Sequence, residues 1–350
     1  MNRQAGGDPF VPELSVIIVN WNGQRHLEVC LSALRRQTFG DFETILVDNA
    51  STDGSVEFVR ERFPEVRVIV LGTNAGFAAG NNAGYERARG EWVVLLNNDT
   101  EADERWLEEI HNAGREFPGA GSFASKMLLF DDRKRIDNCG FAVTRAGTAV
   151  DLGRDEQDGP AWAKPRKVFG ACAGAAAYRR SMLDDIGFLD PEFFMTFEDL
   201  DLSFRGQLQG YECVFLPRAI VYHRLGATRK KNPAQDVFFS QRNIELAYLK
   251  NMPFRMILGA LPHRLVYELG GAAYFTKLGV GTAFFKAKLD AVRRLRSVLR
   301  KRRELQRRRI LTHEQLRAML LRYRLWSKWG KFSSAWRLTS GAAARHGAVS

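Results

Sequence analysis

The chain has 350 residues, 45% of them hydrophobic and 26% charged, a globular composition long enough to bury a core without disulfides. Its four cysteines, Cys30, Cys139, Cys172 and Cys213, form no CxxC pair, which excludes a zinc ribbon or a disulfide framework and leaves reduced thiols as the expectation. The net charge of +12 sits in the tail: residues 251–350 hold 22 Lys and Arg against 4 Asp and Glu, so of the chain's 52 and 40 the first 250 residues keep 30 and 36. That mildly acidic front speaks against a nucleic-acid enzyme, whose cleft would be basic as well.

Met1 to Pro12 is polar and Gly-rich, with no apolar stretch of the kind a secretory signal needs. No apolar run approaches the ~18 residues that span a bilayer. The expected location is the cytoplasm. Leu14–Asn20 is a short, β-branched apolar run that suits a strand buried on both faces. A helix is expected from His26 to Gln37, with Leu27, Leu31 and Leu34 on one side. Thr44–Asp48 is the next strand and Val56–Phe63 the next helix, ended by Pro64. Val66–Leu71 is a third strand, Gly76–Arg89 a loop feeding a helix that Gly90 stops, and Trp92–Leu96 a fourth strand. This alternation predicts a mostly parallel central sheet flanked by helices, with ligands bound beyond the carboxyl ends of the strands. Four polar loops would meet there: Asn20–Gly23, Asp48–Ser55, Gly72–Asn82 and Asn97–Thr100.

From Ala120 to Tyr222 the pattern is less regular. Val168–Phe169 and Cys213–Leu216 read as strands, Thr144–Pro165 as an excursion loop, and Gly170–Ala177 as a small-residue stretch where a ligand or backbone can approach closely. After Met252 the character changes again. Phe254–Phe285 is rich in Leu, Phe, Tyr, Gly and Ala, and an Arg-rich stretch from Arg293 to Arg309 follows. The expected division is a flexible 1–13, a catalytic domain over 14–252 and a helical, basic extension over 253–350.

Asp99, just past a buried strand, is placed as a ligand of a hard divalent cation, which takes one or two protein carboxylates and fills the rest of its shell with phosphates and water. Asn97 is a weaker partner. The competing reading makes Asp99 the cap of a helix over Glu101–Phe117. Glu198, Asp199 and Asp201 lie within four positions among aromatics, either as a general base with a tuned pKa or as acidic partners of a helix N-terminus. His223, after the apolar run Ala219–Tyr222, is a metal ligand or a structural histidine.

Five segments in order, Val16–Asn22, Val47–Ser55, Asn74–Asn82, Leu96–Thr100 and Phe194–Leu202, resemble the family 2 glycosyltransferases, and within them the bacterial rhamnosyltransferase-like branch that builds cell-surface polysaccharides. The resemblance covers about residues 14–250. It implies a GT-A fold and an inverting single displacement from a nucleoside-diphosphate sugar, dTDP- or UDP-linked, to a glycan or lipid-linked acceptor, with Mg²⁺ or Mn²⁺ as cofactor. It implies that Asp48 reads the base beside Asn20, that Asp53 belongs to the nucleotide pocket, and that Asn81 and Asn82 lie near ribose and diphosphate. Asn97-Asn98-Asp99 stands for the family's DxD, with Asn in place of its first Asp. Asp199 matches the base and Glu198 its companion, His223 completes the metal site, and Gly170, Gly174 and Arg179 match the acceptor side. Thr196 stands where many relatives have an aromatic. Rhamnose is the favoured sugar, with galactofuranose, glucose and N-acetylhexosamines as alternatives. A nucleotidyltransferase and an inactive nucleotide-binding scaffold are the competing classes. The basic tail is expected on an anionic membrane surface, or else packed on the catalytic domain or a second subunit, and no nucleic-acid partner is expected.

Overall fold

The computed structural model describes residues 11–224 and 233–321. Residues 1–10 of the expected flexible segment and 322–350 of the expected extension lie outside the described residues. The chain opens with β1 (Leu14–Asn20), α1 (Gln24–Arg35), β2 (Phe42–Asp48), α2 (Ser55–Arg62), β3 (Arg67–Val70), α3 (Gly76–Tyr85) and β4 (Trp92–Leu96). There follow β5 (Thr100–Ala102), α4 (Trp106–Glu116), β6 (Ala120–Leu129), β7 (Ile136–Asn138), β8 (Phe141–Val143), β9 (Ala149–Asp151), β10 (Arg166–Val168), β11 (Ala175–Arg179), α5 (Arg180–Ile186), α6 (Glu198–Leu208) and β12 (Glu212–His223). Five helices close the described chain: α7 (Pro233–Asn251), α8 (Phe254–Lys277), α9 (Gly281–Arg293), α10 (Leu295–Arg308) and α11 (His313–Met319).

Ten strands form one sheet in the order β10-β12-β6-β11-β4-β1-β2-β3, with β5 added to β12 and β7 to β6, and β8 and β9 form a separate two-stranded sheet. β1 is parallel to both β2 and β4, and β2 to β3. The chain builds outward from β1 to β3, then returns to the other side of β1 as β4. The order therefore reverses at β1/β4, and a crevice opens there beyond the carboxyl ends. Successive residues of β1 serve opposite faces: Val16 and Ile18 join the core under α1 and α4, and Ile17 joins the core under α3 and α6. Burial on both faces is why these strands read as unbroken apolar runs.

Three expectations are corrected here. The helix over Glu101–Phe117 is instead strand β5 followed by the shorter α4. Thr100–Ala102 is pulled into the sheet by antiparallel pairing to the end of β12, so Asp99 caps no helix. Cys213–Leu216 and Ala219–Tyr222 are one strand, β12, with an irregularity in its pairing to β6 between Leu216 and Ile220. The loop over Thr144–Pro165 contains β9, which pairs with β8, and a 3₁₀ turn at Pro160–Trp162.

The C-terminal helices continue the fold. Phe204 and Leu208 of α6 share a core with Leu246 and Tyr248 of α7, Ala291 of α9, Val298 of α10 and Leu316 of α11. Beneath them lies a charge network that is buried except at Lys301, which is partly exposed. Lys250 of α7 stands 2.7 Å from Asp190 and 2.9 Å from Asp201, Arg205 stands 2.9 Å from Asp201, and Lys301 of α10 reaches Asp190 at 2.8 Å. Burial pushes both carboxyls up, but the cations outweigh it and hold Asp190 and Asp201 below the ordinary carboxylate range.

Candidate functional site

Asn20, the last residue of β1, is fully buried and joins three of the four loops. Its amide nitrogen donates to Asp48 Oδ1 at 3.1 Å and to Ser51 Oγ at 3.2 Å, and its oxygen accepts from Asn98 Nδ2 at 2.7 Å. The last contact crosses the β1/β4 crevice. Gly23 leaves room for it, because a Cβ there would stand 2.3 Å from Asn98 Nδ2 and 2.6 Å from Asn20 Oδ1. Asp48 also accepts from the Ser51 backbone N–H at 2.8 Å. Asp53 faces the same loops but turns its carboxylate inward, onto the N–H groups of Gln24 and Ser55 and the Ser55 hydroxyl. Burial raises its pKa and these hydrogen bonds lower it further, so the net shift is downward.

The register of β5 on β12 sets His223 opposite Thr100, and so brings the imidazole to Asp99. His223 Nε2 stands 3.3 Å from Asp99 Oδ1, and Nδ1 stands 2.7 Å from Asp137 Oδ2. Arg154 Nη1 holds the other oxygen of Asp137 at 2.6 Å. Burial alone would push His223 down, but hydrogen bonds to Asp137 and Asp99 outweigh it and raise its pKa to about 9. A carboxylate behind a histidine is the arrangement that orients a metal-ligating imidazole and fixes its tautomer. The donor set of Asp99 and His223 therefore fits a divalent cation. Among the described residues no cluster of three or more His, Cys, Asp or Glu converges on one point, so the rest of such an ion's shell would come from phosphate and water, as Mg²⁺ prefers.

The acidic segment lies on the same edge. Asp199, on the first turn of α6, accepts the Ala173 N–H at 3.2 Å, and the carbonyl of Gly174 accepts the Asn97 N–H at 2.9 Å. The partner of Asp199 and the partner of the Asn97–Asp99 turn are thus consecutive residues. Glu198 beside it is buried. Asp201, the third acid of the segment, is fully buried in the network with Lys250 and Arg205, which removes it from the edge. The loop entering α6 is contorted: Phe194, Thr196 and Phe197 all have positive φ, at 61°, 70° and 66°. Phe194 centres a γ-turn, with φ 61° and ψ −63° and the Met195 N–H 2.7 Å from the Phe193 carbonyl, a rare and strained conformation for a side-chain-bearing residue. Two neighbours hold it. Gly76, at φ +86°, packs so closely that a Cβ would meet the Phe194 carbonyl at 2.5 Å. Asn243 of α7 points its amide at the carbonyls of Phe193, Met195 and Thr196, each 2.7 Å away.

Four sequence assignments find other surroundings. Arg179 pairs with Trp92 at the start of β4, whereas Ala175 pairs with Leu96 at its end. β11 runs antiparallel to β4, so Arg179 lies at the opposite end of the sheet, bound to Glu91 and to the carbonyls of Ala120 and Gly114. Gly170 approaches protein, since a Cβ would meet Ser203 Oγ at 2.2 Å and Phe141 Cζ at 2.4 Å. Asn81 donates to the Phe77 carbonyl of its own helix, and Asn82 to the Leu189 carbonyl, tying α3 to the approach to α6. Residues that sequence reasoning missed stand closer. Asn49 brackets the start of α3 through the Ala75 N–H and the Gly76 carbonyl. His26, half-buried on the first turn of α1, is pushed down by burial and by the charges of Arg25 and Arg224, while Asp99 pulls it up. A His and an Arg opening α1 directly after the polar Asn20–Gly23 loop were the available signal. Asp137 and Arg154 carried none.

A family model described as glycosyl transferase family 2 matches residues 15–187. The chain carries a family 2 glycosyltransferase domain. The N-acetylglucosaminyl-diphospho-decaprenol L-rhamnosyltransferase of Mycobacterium tuberculosis is 26% identical over 249 residues, which cover 63% of this chain and 79% of that protein. Among solved structures, GalNAc-T7 with UDP, GalNAc and Mn²⁺ superposes at a TM-score of 0.54 and 16% identity over 69% of this chain, spanning about half (48%) of that one. The mannosyltransferase PcManGT of Pyrobaculum calidifontis, with GDP-Man and Mn²⁺, superposes at 0.51 and 18% identity over 85% of this chain and 86% of its own. The glycosyltransferase domain has the GT-A fold, as these superpositions and the sheet order agree.

Proposed function

We propose that residues 14–252 form the catalytic unit of an inverting transferase, moving a sugar from a nucleoside diphosphate to a hydroxyl of a glycan or lipid-linked acceptor in cell-surface polysaccharide synthesis. The observation that carries this reading is the short tether between the two chemical centres: Asp199 holds Ala173, and Gly174 holds Asn97 at the head of the Asp99 turn. Rhamnose, from a dTDP- or UDP-linked donor, is the favoured sugar, supported by the likeness to the mycobacterial rhamnosyltransferase, whose name also carries a lipid-linked substrate.

In this mechanism Asp48, fixed by Asn20 and the Ser51 N–H, receives the nucleobase at the end of β2. Asp99 and His223 would hold Mg²⁺ or Mn²⁺, which when bound neutralises charge on the departing diphosphate. Asp199 accepts the proton of the acceptor hydroxyl while that oxygen forms its bond to the anomeric carbon. The carbon–oxygen bond to the diphosphate breaks on the opposite face, so configuration inverts and a nucleoside diphosphate leaves. The Ala173 N–H, donated to Asp199 Oδ2, aims the carboxylate. Asp199→Asn tests the assignment. It should lower kcat by at least ~10²-fold, the usual contribution of a positioned base, with nucleoside diphosphate binding by thermal shift nearly unchanged. A variant keeping more than about a tenth of wild-type kcat would refute the base role.

A further inference from the structure

Helices α8 to α10 carry three surface stripes that catalysis leaves unused, two apolar and one basic. On α8, Ala260, Arg264, Gly271 and Phe275 turn inward, while Phe254, Leu258, Leu261, Leu265 and Leu269 follow one another at helical spacing on a different face, each between 50% and 64% exposed. On α9, Ala283, Phe284, Ala287 and Ala291 are buried, and Phe285, Leu289 and Val292 are 51–65% exposed on the far side. On α10, Val298 is buried, and Arg296, Arg300, Arg303 and Arg307 line the opposite face, all exposed. Exposed apolar stripes of this extent on a soluble surface mark a place where something docks.

Charge decides what the occupant is. Between residues 254 and 308 nine Lys and Arg are exposed, against one exposed acid, Glu304. A second copy of the chain would bring the same cations, and these helices offer no acidic patch to receive them. A nucleic-acid strand would use the arginines and leave eight large apolar side chains in water. An anionic bilayer uses both: its phosphates pair with arginine, and its interface accepts the apolar faces to a shallow depth. No described helix is long and apolar enough to cross a membrane, so the contact would lie in the interface plane.

We propose that the outer face of α8, α9 and α10 docks on an anionic lipid surface, with the apolar stripes of α8 and α9 entering the interface and the arginine stripe of α10 pairing with lipid phosphates. The inner side of α10 is bound to the segment that leads into the catalytic helix: Lys301 reaches Asp190 at 2.8 Å, and Ser297 Oγ donates to Glu192 Oε1 at 2.6 Å. Docking would therefore fix the acceptor side of the site relative to the lipid. That use rests on the transferase reading above; the docking itself does not.

Flotation of the full-length protein tests it without any turnover. The probes are vesicles of phosphatidylcholine alone and of phosphatidylcholine with phosphatidylglycerol in equal parts. The wild type should float with the anionic vesicles and stay behind with the neutral ones. Arg300→Gln/Arg303→Gln/Arg307→Gln should weaken partitioning by roughly 10²-fold, from the usual contribution of each basic residue near an anionic surface. Leu261→Gln/Leu265→Gln/Leu269→Gln should abolish flotation while leaving the thermal shift with UDP and Mn²⁺ as in the wild type. Equal flotation of wild type and both variants, or no flotation of the wild type, overturns the proposal. So does a wild-type dimer in sedimentation that the leucine variant turns into a monomer without any vesicle binding, because the face would then belong to a second copy. Loss of flotation with turnover intact on a soluble acceptor would support docking, whereas failure of the Asp199→Asn test would sink only the transferase mechanism.

Discussion

Asn243→Asp is the sharpest probe of how the catalytic segment is held. Asn243 is fully buried, and its amide nitrogen lies 2.7 Å from three carbonyl oxygens of the loop entering α6. An amide has two protons, so two good bonds are shared among three acceptors. Arg242 also serves the Phe193 carbonyl, at 3.0 Å, which leaves Met195 and Thr196 dependent on Asn243. Orphaning two half-buried carbonyls costs about 2 kcal/mol, the low end of the range for buried groups. Against this, Phe194, Thr196 and Phe197 hold positive φ, each at a cost of about 1 kcal/mol or more, so about 3 kcal/mol is stored in the loop. Once the clamp is gone the stored strain exceeds what holds it, and the loop should relax and carry the first turn of α6 with it. A displacement of about 1 Å at a reacting group costs on the order of 10²-fold. The aspartate keeps the side-chain volume but offers no donor and turns charge toward three carbonyls. The expected result is a fall in kcat of about that size with the donor KM nearly unchanged, since Asp48 is held by Asn20 and the Ser51 N–H rather than by Asn243, measured as nucleoside diphosphate release. A variant whose urea midpoint falls while kcat stays within about threefold of wild type would show the clamp to be structural only, and the strain argument would be wrong.

Gly76→Ala forces a side-chain-bearing residue to φ +86° and drives a methyl against the Phe194 carbonyl, so it should cost roughly 2 to 4 kcal/mol by urea unfolding and lower kcat with it. Acid should uncouple the C-terminal helices. Asp190 and Asp201 titrate below their unfolded value of 3.8, so their contribution is present above that value and is lost as pH falls through the folded values. Two such groups give a slope of up to about 2.7 kcal/mol per pH unit. Lys250→Met should make that acid limb of the urea midpoint shallower, and an unchanged limb would exclude the pair as its source.

The ends of β1, β2 and β4 were legible because strands buried on both faces are short apolar runs, and the polar residues that interrupt them must lie at the sheet's edge. His223 and Asp99 were each legible as candidates, but not their meeting. That depends on β5, three residues long, whose Thr-Glu-Ala sequence extends a helical pattern as naturally as it forms a strand. Only tertiary pairing to β12 settles the choice. Arg179 was misplaced for a related reason. It belongs to the same short segment as Gly174, and nothing local reports that β11 runs against β4, which carries its last residue to the far end of the sheet.

Charge is the harder quantity to read from a chain, because counting does not separate a surface arginine from a buried one. Within the run from Arg293 to Arg309, Lys301 and Arg302 turn inward, the first onto Asp190 and the second onto the carbonyls of Leu249 and Met252. Arg296, Arg300, Arg303 and Arg307 turn outward. The outer four recur at intervals of three and four residues, which keeps them on one side of the helix, and the inner pair falls between them on the other. Lys301 joins Lys250 in neutralising Asp190 beneath α6, and Arg302 ties α10 to the end of α7 through the carbonyls of Leu249 and Met252. On α10 the outer set has a single acid, the exposed Glu304, among its four arginines, so that face keeps a net positive charge. One helix therefore has an internal electrostatic task, which any rigid enzyme of this fold could need, and an outer basic stripe of the kind the proposed anionic lipid surface would receive.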